Sequence, residues 1–330
     1  MNIQTSLGVF RRYLMWLRYD GSRFSEMATG PNGFGIVDTF HRCLERCLPE
    51  ASTSDIKIAP SSRTDSGVHA FRCPILTHIP VGKDGGLDDT PERKAEWMSR
   101  MNVLMNCVEP GGIELVDFHS VHPGFSPRRH VAYRRYVYRI VTPKSEEVYL
   151  RKPSAEIISD RRYVWILPQH FDPEKAANAC RMFIGVHNMA SFFKYRPRDF
   201  QSDPYPKTER FIHHVSLTPG EGYMLTSPDH NYYNITVISR SFIREQIRRM
   251  ISVIAAHACG RLTERDIRWL LDHPNPNNFF AFRGLKAAPP NGLFLTDVVY
   301  DPKSFTDPRH KYCHAWDSQG LEEEGDEGNR

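Results

Sequence analysis

Nothing in this chain of 330 residues approaches the roughly 18 consecutive apolar residues that a membrane helix needs, so no membrane partner is expected. G-x-G-x-x-G and G-x-x-x-x-G-K-[ST] loops are absent, as are HExxH, paired C-x-x-C and a Gly-x-Ser-x-Gly elbow. Dinucleotide loops, nucleotide P-loops, zincin sites and the hydrolase serine are thereby removed, and neither a metal nor a cofactor is expected. The seven cysteines are scattered and odd in number, which argues against a disulfide framework and for a reducing compartment. Cys43 and Cys47 are four apart in a helical stretch and read as two core thiols on one face rather than as ligands.

What is present is a basic chain with an acidic end. Residues 301–330 hold four basic and eight acidic side chains, so the net +4 divides into −4 there and +8 over residues 1–300. The ending "LEEEGDEGNR" reads as solvated and disordered. The rest suits a protein that meets a polyanion. A hydrophobic content of 40% is enough for one large domain or two fused ones.

Strands and helices alternate twice in the same rough order. "YLMWLRYD", "DIKIAP", "VHAFRCPILTHIP", "IELVDFHS" and "HVAYRRYVYRIV" read as strands. "IVDTFHRCLERCL" and "PERKAEWMSRMNVLMNCV" have helical spacing, the second ending before Pro110. Downstream, "DPEKAANACRMFIG" predicts a helix opened by Asp172 and Pro173 and ended by Gly185. "FIHHVSLT" and "NYYNITVIS" follow as strands. "REQIRRMISVIAAHAC" is a helix stopped by Gly260, and "TERDIRWLLDH" one capped by Thr263, with Glu264 and Asp266 in its first turn. The class is α+β, two sheets fused side by side. The expected divisions are an N-terminal segment 1–10, a half 11–143, a polar connection 144–160, a second half 161–302 and an acidic tail 303–330. Residues 1–10 have a composition compatible with a short organellar transit peptide.

Three stretches stand out. "PSSRTDSGVHAF" places Asp65 beside Gly67 in a strand-to-strand turn, where an aspartate commonly caps backbone amides. A plain turn, however, has no need of Arg63. "FSPRRHVAYRRYVYR" has five arginines, three tyrosines and no acid, with Arg134, Tyr136 and Tyr138 on one strand face and Arg135, Val137 and Arg139 on the other. Arginines interleaved with aromatic rings suit phosphates and stacked bases. In "SFIREQIRRMISVIAAHACG", Ile243, Ile247, Met250, Ile251 and Ile254 form a core stripe. Arg244, Arg248 and Arg249 beside it are either solvated charges or partners for a buried carboxylate such as Asp65.

Together these stretches resemble the TruA family of tRNA pseudouridine synthases, and most of all its eukaryotic tRNA pseudouridine synthase-like branch. "SSRTDSGVHA" is similar to the family's "GRTDAGVHA", with Ser66 in place of alanine, and "YDGSRF" to "YDGS-x-F". "AYRRYVYRI", "FIREQIRRM" and "NGLFL" match the later family elements in order, so the resemblance runs from Tyr19 to about Tyr300. The family's "GWQ" is replaced by "SEMATGPNGFG", Ser25 to Gly35, which bears on the choice of RNA rather than on the chemistry.

The resemblance implies two pseudo-symmetric, RNA-recognition-like halves forming one extended antiparallel sheet, with helices on one side and a central catalytic cleft. It implies an isomerase that turns uridine into pseudouridine in RNA, in the anticodon arm of tRNA, without metal or cofactor. Asp65 takes the nucleophile's position, Arg248 that of its partner and Tyr136 that of the ring stacked on the target base. Arg63 would fill the space left by the flipped nucleotide, and Leu293 would close the pocket's apolar side. Thr64, Arg134, Arg135 and Arg244 are the further residues expected at the RNA, and His69 is expected to pack behind the turn. A mitochondrial location is expected, with the cytoplasm or nucleus as alternatives, and a monomer or homodimer. The competing class is a catalytically silent RNA-binding protein or chaperone of the same fold, which Asp65 argues against.

Overall fold

The computed structural model describes residues 2–5, 8–28, 30, 33–48, 56–81, 87, 90–150, 159–168, 170–196, 199, 206–222 and 226–308. The chain divides into two units. One runs through Ala132 and takes back the chain from Leu295, and the other holds Tyr133–Phe294.

The first unit is built around strand β2 (Gly8–Tyr19), which pairs antiparallel with β1 (Asn2–Thr5). Residues 2–5, read as part of a leader-like segment, are thus in a strand. After helix α1 (Ile36–Cys47) comes the hairpin of β3 (Lys57–Pro60) and β4 (His69–Pro80). β4 also pairs antiparallel with β2, Leu14 opposite Leu76. Helix α2 (Pro91–Val108) leads to β5 (Ile113–Ser120), again antiparallel to β2. The returning segment from Leu295 lies next to β4. Tyr13, Met15 and Leu17 of β2 are buried, and so are Phe40, Cys43 and Cys47 of α1 and Met101 and Met105 of α2. The two thiols are core residues, as expected, and burial raises the pKa of each.

The second unit begins within β6 (Val131–Pro143), ten residues before the expected limit at 143. α3 (Glu146–Leu150) follows, and most of the connection 144–160 beyond it lies outside the described residues. β7 (Trp165–Ile166) pairs parallel with β6. α4 (Pro173–Met182) opens as its sequence dictates, with the Asp172 carboxylate accepting from the Glu174 and Lys175 amides at 2.9 and 3.1 Å and Pro173 in the first turn. It ends at Met182, three residues before the expected stop. Gly185, at φ +114°, starts β8 (Gly185–Asn188) instead. β9 (Glu209–Pro219) joins β8 to β10 (His230–Ser239), and β10 pairs with β6, all antiparallel.

α5 (Gln246–Ala258) stops before Gly260, at φ +72°. α6 (Glu264–Asp272) carries the full capping box between Thr263 and Asp266. Twelve of the 13 residues of α5 are buried, leaving Arg248 partly exposed, so this helix is apolar nearly all round rather than along one stripe. β11 (Leu293–Tyr300) and α7 (Lys303–Thr306) close the described chain. Packing continues past the expected start of the tail at 303, since Phe305 lies 5.4 Å from the Phe125 ring. The remainder of the tail, 309–330, is outside the described residues.

Candidate active site

Gly67 shapes the β3–β4 turn. It stands at φ +81°, and the Val68 amide donates to the Asp65 carbonyl at 3.1 Å, the pattern of a type II turn with glycine third. The flanks of the turn are locked from below. Ser61 donates to the Pro127 carbonyl at 2.7 Å and lies 2.8 Å from the Tyr300 hydroxyl. The buried Thr64 hydroxyl shares a 2.8 Å hydrogen bond with that of Tyr19. His69 is buried with Nδ1 2.9 Å from the Asp20 carboxylate, which also accepts from the Ser22 amide and hydroxyl at 3.0 and 2.7 Å. A Cβ on Gly21 would overlap the Val68 carbonyl oxygen.

Each residue of "YDG" therefore has a task beneath the turn: Tyr19 holds Thr64, Asp20 holds His69, and Gly21 leaves room for Val68. Above that floor Arg63 and Ser66 are exposed and Asp65 half-exposed. The Ser66 hydroxyl donates to the Ser25 carbonyl at 2.7 Å and ties the turn to the segment that departs from the family pattern. His69 is structural, as expected. Thr64, expected at the RNA, is part of the scaffold.

In the second unit, β6 keeps the expected alternation. Arg134, Tyr136 and Tyr138 are buried and Arg135 is exposed. Arg134, expected on RNA, donates to the Arg240 carbonyl from a buried position. Tyr136 meets Phe242 edge-on at 5.4 Å. The Tyr138 hydroxyl donates to the Pro289 carbonyl at 2.8 Å. Burial raises its pKa well above the ordinary value, against the opposing charge of Arg248. A Cβ on Gly292 would sit 2.8 Å from the Tyr138 ring, so the glycine before the buried Leu293 lets the two meet.

At the start of α5 the arginines are not solvated charges. Arg248, its side chain 15% exposed, donates from Nε to the Ala288 carbonyl at 2.7 Å. Arg249 is 5% exposed, donates to the Phe193 carbonyl at 3.0 Å and lies over the Phe279 and Phe280 rings at 4.8 and 5.1 Å. Arg244 is paired with Asp199 at 2.8 Å and bonds the Lys194 carbonyl. Sequence reasoning missed Glu245, whose carboxylate Lys194, Arg248 and Arg249 reach. The first unit thus groups Arg63, Thr64 and Asp65 in one turn. The second gathers Arg134 and Tyr136 of β6 at residues 240–242, with Arg244 and Arg248 close behind in the chain. Among the described residues no group of three His, Cys, Asp or Glu is placed to hold a metal.

The family model for tRNA pseudouridine synthase matches residues 179–301. A tRNA pseudouridine synthase-like 1 of Xenopus laevis is 28% identical over 296 residues, 88% of this chain and 91% of that protein. Its Homo sapiens counterpart is 26% identical, over 88% and 90%. A tRNA pseudouridine synthase A of Maricaulis maris is 24% identical, over 88% and 98%. The chain is an isomerase, a pseudouridine synthase. The matched length, 88% of this chain, takes in residues of both units. RNA is the substrate this class implies for the synthase. Arg63 and Arg135, both exposed, then fall where a polyanion can reach them.

Proposed function

We propose that this synthase isomerises uridine in the anticodon arm of tRNA, on the 3′ side of the loop and its stem junction, through a covalent adduct between Asp65 and the nucleoside. The Asp65 turn carries the reading: a half-exposed carboxylate on a buried, fully braced floor is built to present that group rather than to cap a turn. In the reaction the Asp65 carboxylate bonds C1′ of the ribose as uracil leaves with the bonding electrons; uracil turns, its carbon 5 bonds C1′ and releases the carboxylate, and the proton on carbon 5 must then depart. By motif position Arg248 pairs with the Asp65 carboxylate and directs it. Tyr136 stacks on the base, with its hydroxyl serving the departing proton. Leu293 closes the apolar side of the pocket, Arg63 takes the space of the flipped nucleotide, and Arg135 holds phosphates. The two α+β halves would be pseudo-symmetric and share this one centre in a cleft, and the location would be mitochondrial. Pseudouridine mapping of cellular RNA with and without the protein tests the reading. Loss confined to the anticodon arm of tRNA is expected, and losses only in other RNAs, or none, would overturn the target.

A further inference from the structure

Among the described residues Glu245 is the sole non-glycine with positive φ, at 60° with ψ 4°. It is third in a turn closed by the Gln246 amide on the Ile243 carbonyl at 3.1 Å, the place that usually takes glycine or asparagine. A β-carbon there is strained, and such strain persists only where the surroundings impose it. The surroundings are three cations. The Glu245 carboxylate, 12% exposed, lies 2.8 Å from Lys194 Nζ, 3.6 Å from Arg249 Nε and 3.7 Å from a terminal nitrogen of Arg248. The Lys194 amide donates to the Arg244 carbonyl at 3.0 Å, so segment 193–196 is strapped to the same turn. We propose that Glu245 is a positioning residue of the reaction: with Nε of Arg248 on the Ala288 carbonyl and a terminal nitrogen drawn towards Glu245, the guanidinium plane has one orientation.

The inference rests on the reading of Arg248 as the partner of Asp65, and the test separates the two. Turnover of Arg248→Ala, Glu245→Gln, Glu245→Asn and the double variant Glu245→Gln/Arg248→Ala is measured on a tRNA substrate, alongside thermal midpoints. Glu245→Gln should lower kcat roughly ten- to hundredfold, since a small misplacement costs that much, with KM for tRNA within about twofold. Glu245→Asn, which suits the backbone but lacks the charge, should lose a similar factor while keeping its midpoint. In the Arg248→Ala background, Glu245→Gln should cost nothing further. Wild-type kcat with a lowered midpoint in Glu245→Gln and Glu245→Asn would make the residue merely structural and overturn the proposal, as would full additivity in the double variant. An active Arg248→Ala would instead overturn the reading beneath it, and this proposal with it.

Discussion

Gly67 and Glu245 occupy the same place in two turns of the same kind, one in each unit, and only the first is the residue that the backbone asks for. At Gly67 the left-handed conformation is free of steric cost, and no side chain stands between Ser66 and Val68. At Glu245 it costs about 1–2 kcal/mol, offset by a carboxylate that gathers Lys194, Arg248 and Arg249. One turn is shaped to leave room around a charge, and the other accepts strain in order to place charges. The floor of the first is made of hydroxyls, a histidine and an aspartate, the brace of the second almost entirely of ions.

The largest expected effect tests whether the glycine turn is there for its aspartate. Asn is nearly isosteric with Asp but does not attack. Asp65→Asn should therefore fold and bind RNA, yet lose turnover by a factor of roughly a thousand or more. A single-turnover assay that found a tenth of wild-type activity would return Asp65 to the role of a turn residue.

Tyrosines of β6 sharpen the other side of the comparison. Tyr136→Phe should keep tRNA affinity within a few-fold, because the ring remains for stacking worth roughly 1–3 kcal/mol, but turn over much more slowly. Tyr138→Phe strips the Pro289 carbonyl of its donor and should lower stability by about 1–3 kcal/mol while leaving turnover nearly normal. Slow turnover in Tyr138→Phe alone would put the chemistry two residues further along the strand.

How much of this was legible beforehand varied with the physics of each segment. Long elements with local punctuation were readable: Pro91 to Val108, Ile113 to Ser120, and the Thr263 cap follow from periodicity and capping chemistry. So did the alternation of Arg134, Tyr136 and Tyr138, because a strand has no other choice. Short strands such as β7 and β8 carry too few residues for a period, and their pairing is decided by partners distant in sequence. The near-complete burial of α5 was hidden because Arg248 and Arg249 look like a solvated face until the Ala288 and Phe193 carbonyls and the Phe279 ring take them up. Glu245 was illegible for the opposite reason: local propensity argues against it, and only the tertiary cluster explains it.

Exchanging the turn residues gives a smaller, thermodynamic contrast. Gly67→Ala forces a Cβ into φ +81° and should cost about 1 kcal/mol or more, lowering the midpoint by roughly 2–4 °C. Glu245→Asn gives up ion pairs but gains a tolerated backbone, so its midpoint should stay within about 2 °C. Equal losses in calorimetry would mean that the ions, not the backbone, set the balance at the second turn.

The smallest effect lies in the strand that the glycine turn feeds. His78 of β4 has its pKa lowered to about 4, by burial first and then by the charges of Arg12 and Lys57. Its ordinary value is 6.5, so on acidification the unfolded chain takes up a proton that the folded chain refuses until near 4. The neutral imidazole's contribution is therefore complete above 6.5, is lost as pH falls from 6.5 to 4, and changes no further below that. His78→Gln removes this dependence while leaving the carboxylates, whose own acid sensitivity is common to both chains. Urea midpoints at pH 7.5 and pH 5 should thus fall more for the wild type than for His78→Gln. If the gap between the two proteins is the same at both pH values, His78 is solvated enough to protonate in place, and β4 is looser next to Arg12 than its packing indicates.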